Sequence, residues 1–337
     1  MHQILLRIPL PGTDSVITLH GYGLAMALGF LIAILLAARR AKRDGQPPDV
    51  IYNAAMVAFF GGILGARLFF VVQYSGQFPS LWDLLRIWEG GLTFYGGFLL
   101  AVLSVLAYLR LTGRPILYWL DLMAPSVALG EGFGRIGCFL NGCCYGDTCR
   151  PAWGMIWPAG TIPWQHYADE LLASLGYANA ADPALSGALA GSLAAAWQPP
   201  PIFPSQPASF INAILLAAVL YAMLRWKRRH GQVILMFAVL YGASRFLLEM
   251  IRADEAEAYL LGLPALLSAL GLTDLASRLP GLTISQNVAI VMVAGGGAAL
   301  VWLLRSRRPE LQAAYVPPAM PAAKPTKSGP RGKRAKR

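Results

Sequence analysis

Three arginines lie where the surrounding sequence is apolar: Arg67, Arg135 and Arg245. An arginine at the centre of a membrane helix costs about 2.5–3.5 kcal/mol on insertion scales, so each needs an acidic partner or an anionic ligand. Asp121, Glu131 and Glu249 lie in comparable surroundings and are possible partners. Tyr241, Arg245, Glu249 and Arg252 fall at i, i+4, i+8 and i+11, one face of a helix. A guanidinium fork grips phosphate with two parallel hydrogen bonds. Several such forks converging near one side of a membrane point to an anionic lipid headgroup. The other chemically able group is Cys138, Cys143, Cys144 and Cys149, spaced C-x4-C-C-x4-C.

These residues require spans to hold them. Of 337 residues, 56% are hydrophobic and 13% charged, against about 25% charged in soluble domains. That excludes a disordered chain and disfavours an ordinary soluble enzyme. Seven stretches are long enough to cross about 30 Å of hydrocarbon: Val16–Ala38, Val50–Val72, Leu92–Leu109, Pro115–Gly134, Pro207–Leu224, Gln232–Met250 and Ile284–Leu304. Tyr259–Thr273 is shorter, broken by Gly and Pro, and reads as interfacial or re-entrant.

The net charge of +11 is concentrated at the C-terminus, where ten Lys/Arg stand against one acid from Arg305 onward. It therefore reads as a topology signal, and no nucleic-acid partner is expected. Alternate span ends collect 20 of the 28 basic residues. By the positive-inside rule this places the N-terminus outside and the C-terminus in the cytoplasm. The charges of the first span follow it, so it is not a cleaved signal peptide. The expected fold is an all-α polytopic membrane protein of seven helices. Residues 1–308 form the transmembrane catalytic domain, residues 147–206 an extracytoplasmic cap with Trp contacts at the lipid interface, and residues 309–337 a disordered basic cytoplasmic tail.

Local composition sharpens the site. Arg67 follows Gly61-Gly62 and Gly65-Ala66, where small residues let another backbone approach. Arg135 lies among Gly130, Gly132, Gly134 and Gly137, poor helix composition. This predicts irregular backbone lining a cavity.

These motifs resemble the prolipoprotein diacylglyceryl transferase family along nearly the whole chain. They are His20-Gly21-Tyr22-Gly23-Leu24, Gly65-Ala66-Arg67, and Gly90 to Gly97 with Tyr95. They continue with Gly134 to Gly146, Pro204-Ser205-Gln206, and the Tyr241–Arg252 stripe. The resemblance implies transfer of the diacylglyceryl unit of phosphatidylglycerol to the lipobox cysteine of prolipoproteins, the first step of bacterial lipoprotein maturation. It implies a multi-pass protein of the bacterial cytoplasmic membrane, with phosphatidylglycerol, a lipobox peptide and the bilayer as partners. Arg135 and Arg245 would hold the phosphate and, with Tyr95 and His20, form the catalytic set. Tyr22, Arg67, Asn141, Gly146, Tyr241, Glu249 and Arg252 would bind substrate.

The sequence departs from the family pattern at several positions. The family's loop His is Tyr95, its signature Asn is Cys138, its signature Glu is Cys143, and Phe203 replaces a His before Pro204. Tyrosine, with an ordinary pKa near 10, is a weak general base; His20 is the nearest alternative by resemblance.

The four cysteines fall at the outer end of the fourth span, where disulfides are allowed. A disulfide clamp on the signature loop, a redox pair and a metal site are all possible. The spacing is not C-x2-C and no His is near, which weighs against zinc or an iron–sulfur cluster. No metal or cofactor is expected. A membrane thiol–disulfide oxidoreductase using Cys138–Cys149 is the alternative function, although it gives no reason for the buried arginines. No internal repeat points to a transporter, and no Gly-x-Ser-x-Gly elbow to a serine protease.

Overall fold

The computed structural model describes residues 4–9, 16–74, 90–159, 161–174, 197–252, 271 and 282–306. Two strands lead into the helices: β1 (Ile4–Pro9) pairs antiparallel with β2 (Val16–His20). Eight described helices follow: α1 (Gly21–Arg43), α2 (Asp49–Gln73), α3 (Phe94–Leu111), α4 (Ile116–Asn141), α5 (Ile162–Ser174), α6 (Ser205–Trp226), α7 (Gln232–Glu249) and α8 (Ile284–Arg305). Six of them (α1, α2, α3, α6, α7 and α8) are long and apolar enough to cross a membrane. The chain is a multi-pass helical membrane protein. α4 has 26 residues, ample length, but its composition keeps it out of that set.

Two sequence expectations are corrected here. The first apolar stretch does not begin as a helix, because Val16–His20 is strand β2 and α1 starts at Gly21. The glycine-rich segment around Arg135 is not irregular, because α4 runs unbroken to Asn141. Its glycines make room for neighbours. A Cβ at Gly132 would meet that of Ala213 at 3.1 Å, and one at Gly137 would lie 2.9 Å from the Tyr22 ring. Close helix packing and the need to satisfy backbone groups internally outweigh a propensity cost of about 1 kcal/mol per glycine.

α4 is the central helix, packed on α1, α6 and α7, while α2 pairs with α3 and α7 with α8. Beside Arg67, α2 and α3 touch backbone to backbone: a Cβ at Gly65 would lie within van der Waals overlap of the Gly96 carbonyl.

Asp121 is wholly buried and does not pair with any of the three arginines. It accepts from the backbone N–H groups of Gly231 (2.8 Å), Val233 (2.9 Å) and Ile234 (2.9 Å), and from Lys227 Nζ (3.1 Å). It therefore caps α7, where a carboxylate both satisfies orphan donors and meets the positive end of the helix dipole.

In the cap, α5 buries Pro163, Trp164, Tyr167, Ala168 and Leu172 along one face. Of the four tryptophans expected at the lipid interface, Trp153, Trp157, Trp164 and Trp197, the structure buries Trp157 and Trp164, half-buries Trp197 and leaves Trp153 exposed, which corrects the expectation for Trp157 and Trp164. The Tyr259–Thr273 segment, apart from Gly271, and the tail from residue 309 lie outside the described residues.

Candidate functional site

Arg135 on α4 and Arg245 on α7 line one small cavity with Glu131, Ser209, Asn212, Tyr241, Ser244 and Leu248. Each arginine is held by an acid one turn away. Arg135 donates through Nε to Glu131 at 2.7 Å. Arg245 Nη1 lies 2.8 Å from Glu249, and its Nη2 donates to Ser285 Oγ at 3.0 Å. Because Glu131 takes Nε, it leaves the terminal nitrogens of Arg135 for another partner. Apart from Leu248, the remaining lining is neutral and polar, with Asn212 donating to Ser244 at 3.1 Å. The cavity is barely wide enough for one water.

Glu249 joins two sites. Besides Arg245, it accepts from Thr283 Oγ1 (3.1 Å) at the capping box of α8 and lies 3.7 Å from Arg252. Arg252 faces a different space, a cavity of about 440 Å³ in the cap lined by Asp147, Thr148, His166, Tyr167, Glu170 and Pro200. The structure thus divides the Tyr241–Arg252 stripe. Tyr241 and Arg245 face the inner cavity, and Arg252 the outer one. Burial, with the nearby Asp147 charge adding to it, raises Tyr167 to about 12.

Arg67 is buried but lines neither cavity. It donates to the Gly90 (2.8 Å) and Gly91 (3.2 Å) carbonyls and lies 5.6 Å from the Phe70 ring centre. It thereby fixes the segment that leads into α3 and Tyr95. Tyr95 is half exposed near the start of α3, within electrostatic reach of Tyr241. His20 ends β2 and is exposed. Tyr22 packs against the end of α4, within electrostatic reach of Arg135 and of three of the cysteines.

The signature loop is tied from both sides. Gly142, at φ +79°, ends α4, and both its N–H and that of Cys143 donate to the Cys138 carbonyl (2.8 and 3.1 Å). On α6, Ser205 Oγ donates to the Cys144 carbonyl (2.5 Å) and Gln206 Nε2 to that of Cys143 (2.9 Å). Gly146 bridges to Arg252 and donates to the Phe203 carbonyl at 3.0 Å. A Cβ there would lie 2.6 Å from the Phe203 carbonyl and 2.8 Å from that of Ile251. Only glycine fits where these two backbones converge.

All four cysteines are free thiols, and the sulfurs of Cys138, Cys143 and Cys144 lie within 4.8 Å of one another. Hydrogen bonds from the Cys138 and Cys144 thiols hold Cys143 far below the ordinary thiol range, with Asn141 adding to them.

The resemblance read from the motifs extends over most of the chain. The family model described as prolipoprotein diacylglyceryl transferase matches residues 13–302. The chain belongs to the prolipoprotein diacylglyceryl transferase family. Several relatives carry the name phosphatidylglycerol–prolipoprotein diacylglyceryl transferase. One from Serratia proteamaculans is 30% identical, with 88% of this chain and 92% of the relative covered. One from Clostridium tetani is also 30% identical, covering 70% and 82% respectively. One from Photorhabdus laumondii is 30% identical, covering 88% and 92%. Nothing in these relationships supports the oxidoreductase alternative.

Ser209, Asn212, Ser244 and Ser285 were not singled out from the sequence. Their signal is a hydrogen-bonding residue inside an apolar span, weaker than a charge because serine and asparagine cost less to bury.

Proposed function

We propose that this transferase moves the diacylglyceryl group of phosphatidylglycerol onto the thiol of a prolipoprotein lipobox cysteine, releasing glycerol phosphate. One observation carries the reading: Arg135 and Arg245, from different helices, face a single cavity whose one lining acid, Glu131, pairs with Arg135, while Glu249 outside the lining pairs with Arg245. A phosphodiester entering there meets two preoriented forks, which would stabilise charge as the phosphate leaves. The cavity is too small for a headgroup as it stands, so lipid entry spreads α4 and α7. Glu249 orients Arg245 and links it to Arg252, which faces the cap cavity where a lipobox peptide would dock. Arg67 positions the Tyr95 segment. Tyr22, Asn141 and Gly146 shape the end of α4, and His20 ends β2 immediately before α1.

In this reading α4 is the seventh span. The basic-residue pattern supports an outward N-terminus and a cytoplasmic C-terminus in a bacterial inner membrane, with residues 147–206 as an extracytoplasmic cap and residues 309–337 as a basic cytoplasmic tail. The test is thioether formation on a lipobox peptide with phosphatidylglycerol vesicles. Wild-type chain should yield product, and Arg135→Ala should lose roughly 100-fold or more. Absence of product from wild type overturns the activity; full activity in Arg135→Ala overturns the phosphate role.

A further inference from the structure

We propose that Cys138, Cys143 and Cys144 form a three-thiolate zinc site whose open fourth position takes the substrate thiol. This rests on the transferase reading, because the substrate it invokes is the lipobox cysteine.

Spacing along the chain conceals the site. The αL turn at Gly142 folds the loop back over the last turn of α4, bringing Cys143 to Cys138. Cys144 adopts φ +60°, the one non-glycine residue at positive φ among those described. That conformation costs about 1–2 kcal/mol, and adjacent side chains ordinarily diverge. Here the backbone is held by Ser205 and Gln206, and the three sulfurs share one centre. A tetrahedral zinc with Zn–S near 2.3 Å sets sulfurs roughly 3.8 Å apart. Sulfurs already within 4.8 Å need close by only about 1 Å. A disulfide would use two of them and strand the third.

Among the described residues, no fourth His, Cys or carboxylate joins the group. Three protein ligands and an open position are the arrangement of catalytic rather than structural zinc. An iron–sulfur cluster would want a fourth cysteine, and Cys149 is not in the group. Three thiolates and Zn²⁺ carry one net negative charge, and Arg135 lies close enough to Cys138 to interact with it.

Such a site would supply the nucleophile. A thiolate, not a thiol, is the nucleophile, and neither histidine nor lysine lines the Arg135–Arg245 cavity. A thiol that coordinates zinc is deprotonated outright. On binding, the lipobox thiol gives its proton to water and its sulfur to the metal. The sulfur electron pair then attacks the glyceryl carbon. The carbon–oxygen bond to phosphate breaks, and glycerol phosphate leaves with the bonding pair. The thioether product, a poorer ligand, dissociates.

The test uses full chain purified in detergent without chelator. Elemental analysis should find one zinc per chain in wild type and in Cys149→Ser, and loss of most of it in Cys138→Ser and Cys143→Ser. Cobalt-substituted wild type, which needs no mutation, should show thiolate-field visible bands. A lipobox cysteine peptide should shift them, and its serine counterpart should not. Metal-free wild type that fails to take up cobalt, or a disulfide among these cysteines in the intact mass, overturns the site. Cobalt bands unmoved by the cysteine peptide overturn its role. Bands that respond while zinc-loaded chain makes no thioether support the thiol-binding site and count against the transferase reading alone.

Discussion

Arg245 and Glu249 form a 2.8 Å ion pair along one face of α7, with the carboxylate almost fully buried. The same carboxylate receives Thr283 from the cap of α8, so the pair sets both an arginine and the seat of the next helix. Glu249→Ala strands buried positive charge, and stability should fall by about 3–5 kcal/mol. Glu249→Gln should keep the Thr283 bond, lose less stability, and slow transfer roughly tenfold by loosening Arg245. Thermal unfolding alongside the thioether assay separates the two effects. Equal stability of Ala and Gln variants would contradict the pairing.

Asp121 should be the costliest single carboxylate to remove outside the site. Asp121→Ala leaves three backbone N–H groups at the start of α7 and the Lys227 ammonium without their acceptor. Each charge-assisted bond contributes about 1.5–3 kcal/mol and the losses are not additive. A drop of about 3–5 kcal/mol is expected. Lys227→Met should cost clearly less, since the three N–H donors remain. Thermal melts of the two variants in detergent decide it, and the reverse order would contradict the capping role.

Gly146→Ala should disturb the junction between the signature loop and the end of α7. Its Cβ meets two backbone carbonyls, not flexible side chains, so relaxation moves the chain. About 1–3 kcal/mol is expected, with faster proteolysis of the cap and reduced transfer. A variant as resistant to protease as wild type would show that the contact yields freely.

The cap should weaken in alkali through Tyr167. Below pH 10 this phenol is neutral in both folded and unfolded chains. Between pH 10 and its folded value of about 12, the unfolded chain ionises while the folded cap keeps its proton, so stability falls as pH rises. Tyr167→Phe should remove that part of the slope. Fluorescence of the buried Trp157 and Trp164 against pH reports it, and identical profiles would refute the assignment.

Charge bookkeeping located Arg67, Arg135 and Arg245 from sequence because an unpaired charge in an apolar run is a conspicuous cost. It could not assign partners. Asp121 meets Gly231 across 110 positions, and only the packing of α4 against α7 brings them together. Nor could it foresee that Arg67 donates to the Gly90 and Gly91 carbonyls, 23 and 24 positions away. Hydropathy also merged β2 with α1, since a short apolar strand and a helix start look alike at that length. Helix propensity failed at Gly130–Gly137, where neighbouring helices override it. In the cysteine cluster, linear spacing hid what one left-handed turn accomplishes.

The hydrogen bonds from Ser205 and Gln206 to Cys144 and Cys143 have a consequence for the cap. They pin together the two points at which the chain leaves and re-enters the helical bundle, so the intervening segment is closed at its base. The entropy of a loop closed at its base grows only with the logarithm of its length, about 0.6 kcal/mol for each doubling. Residues can therefore be added to or trimmed from the middle of this segment at little thermodynamic cost to the bundle. Length changes there should leave the α4–α7 packing that holds Arg135 and Arg245 in place.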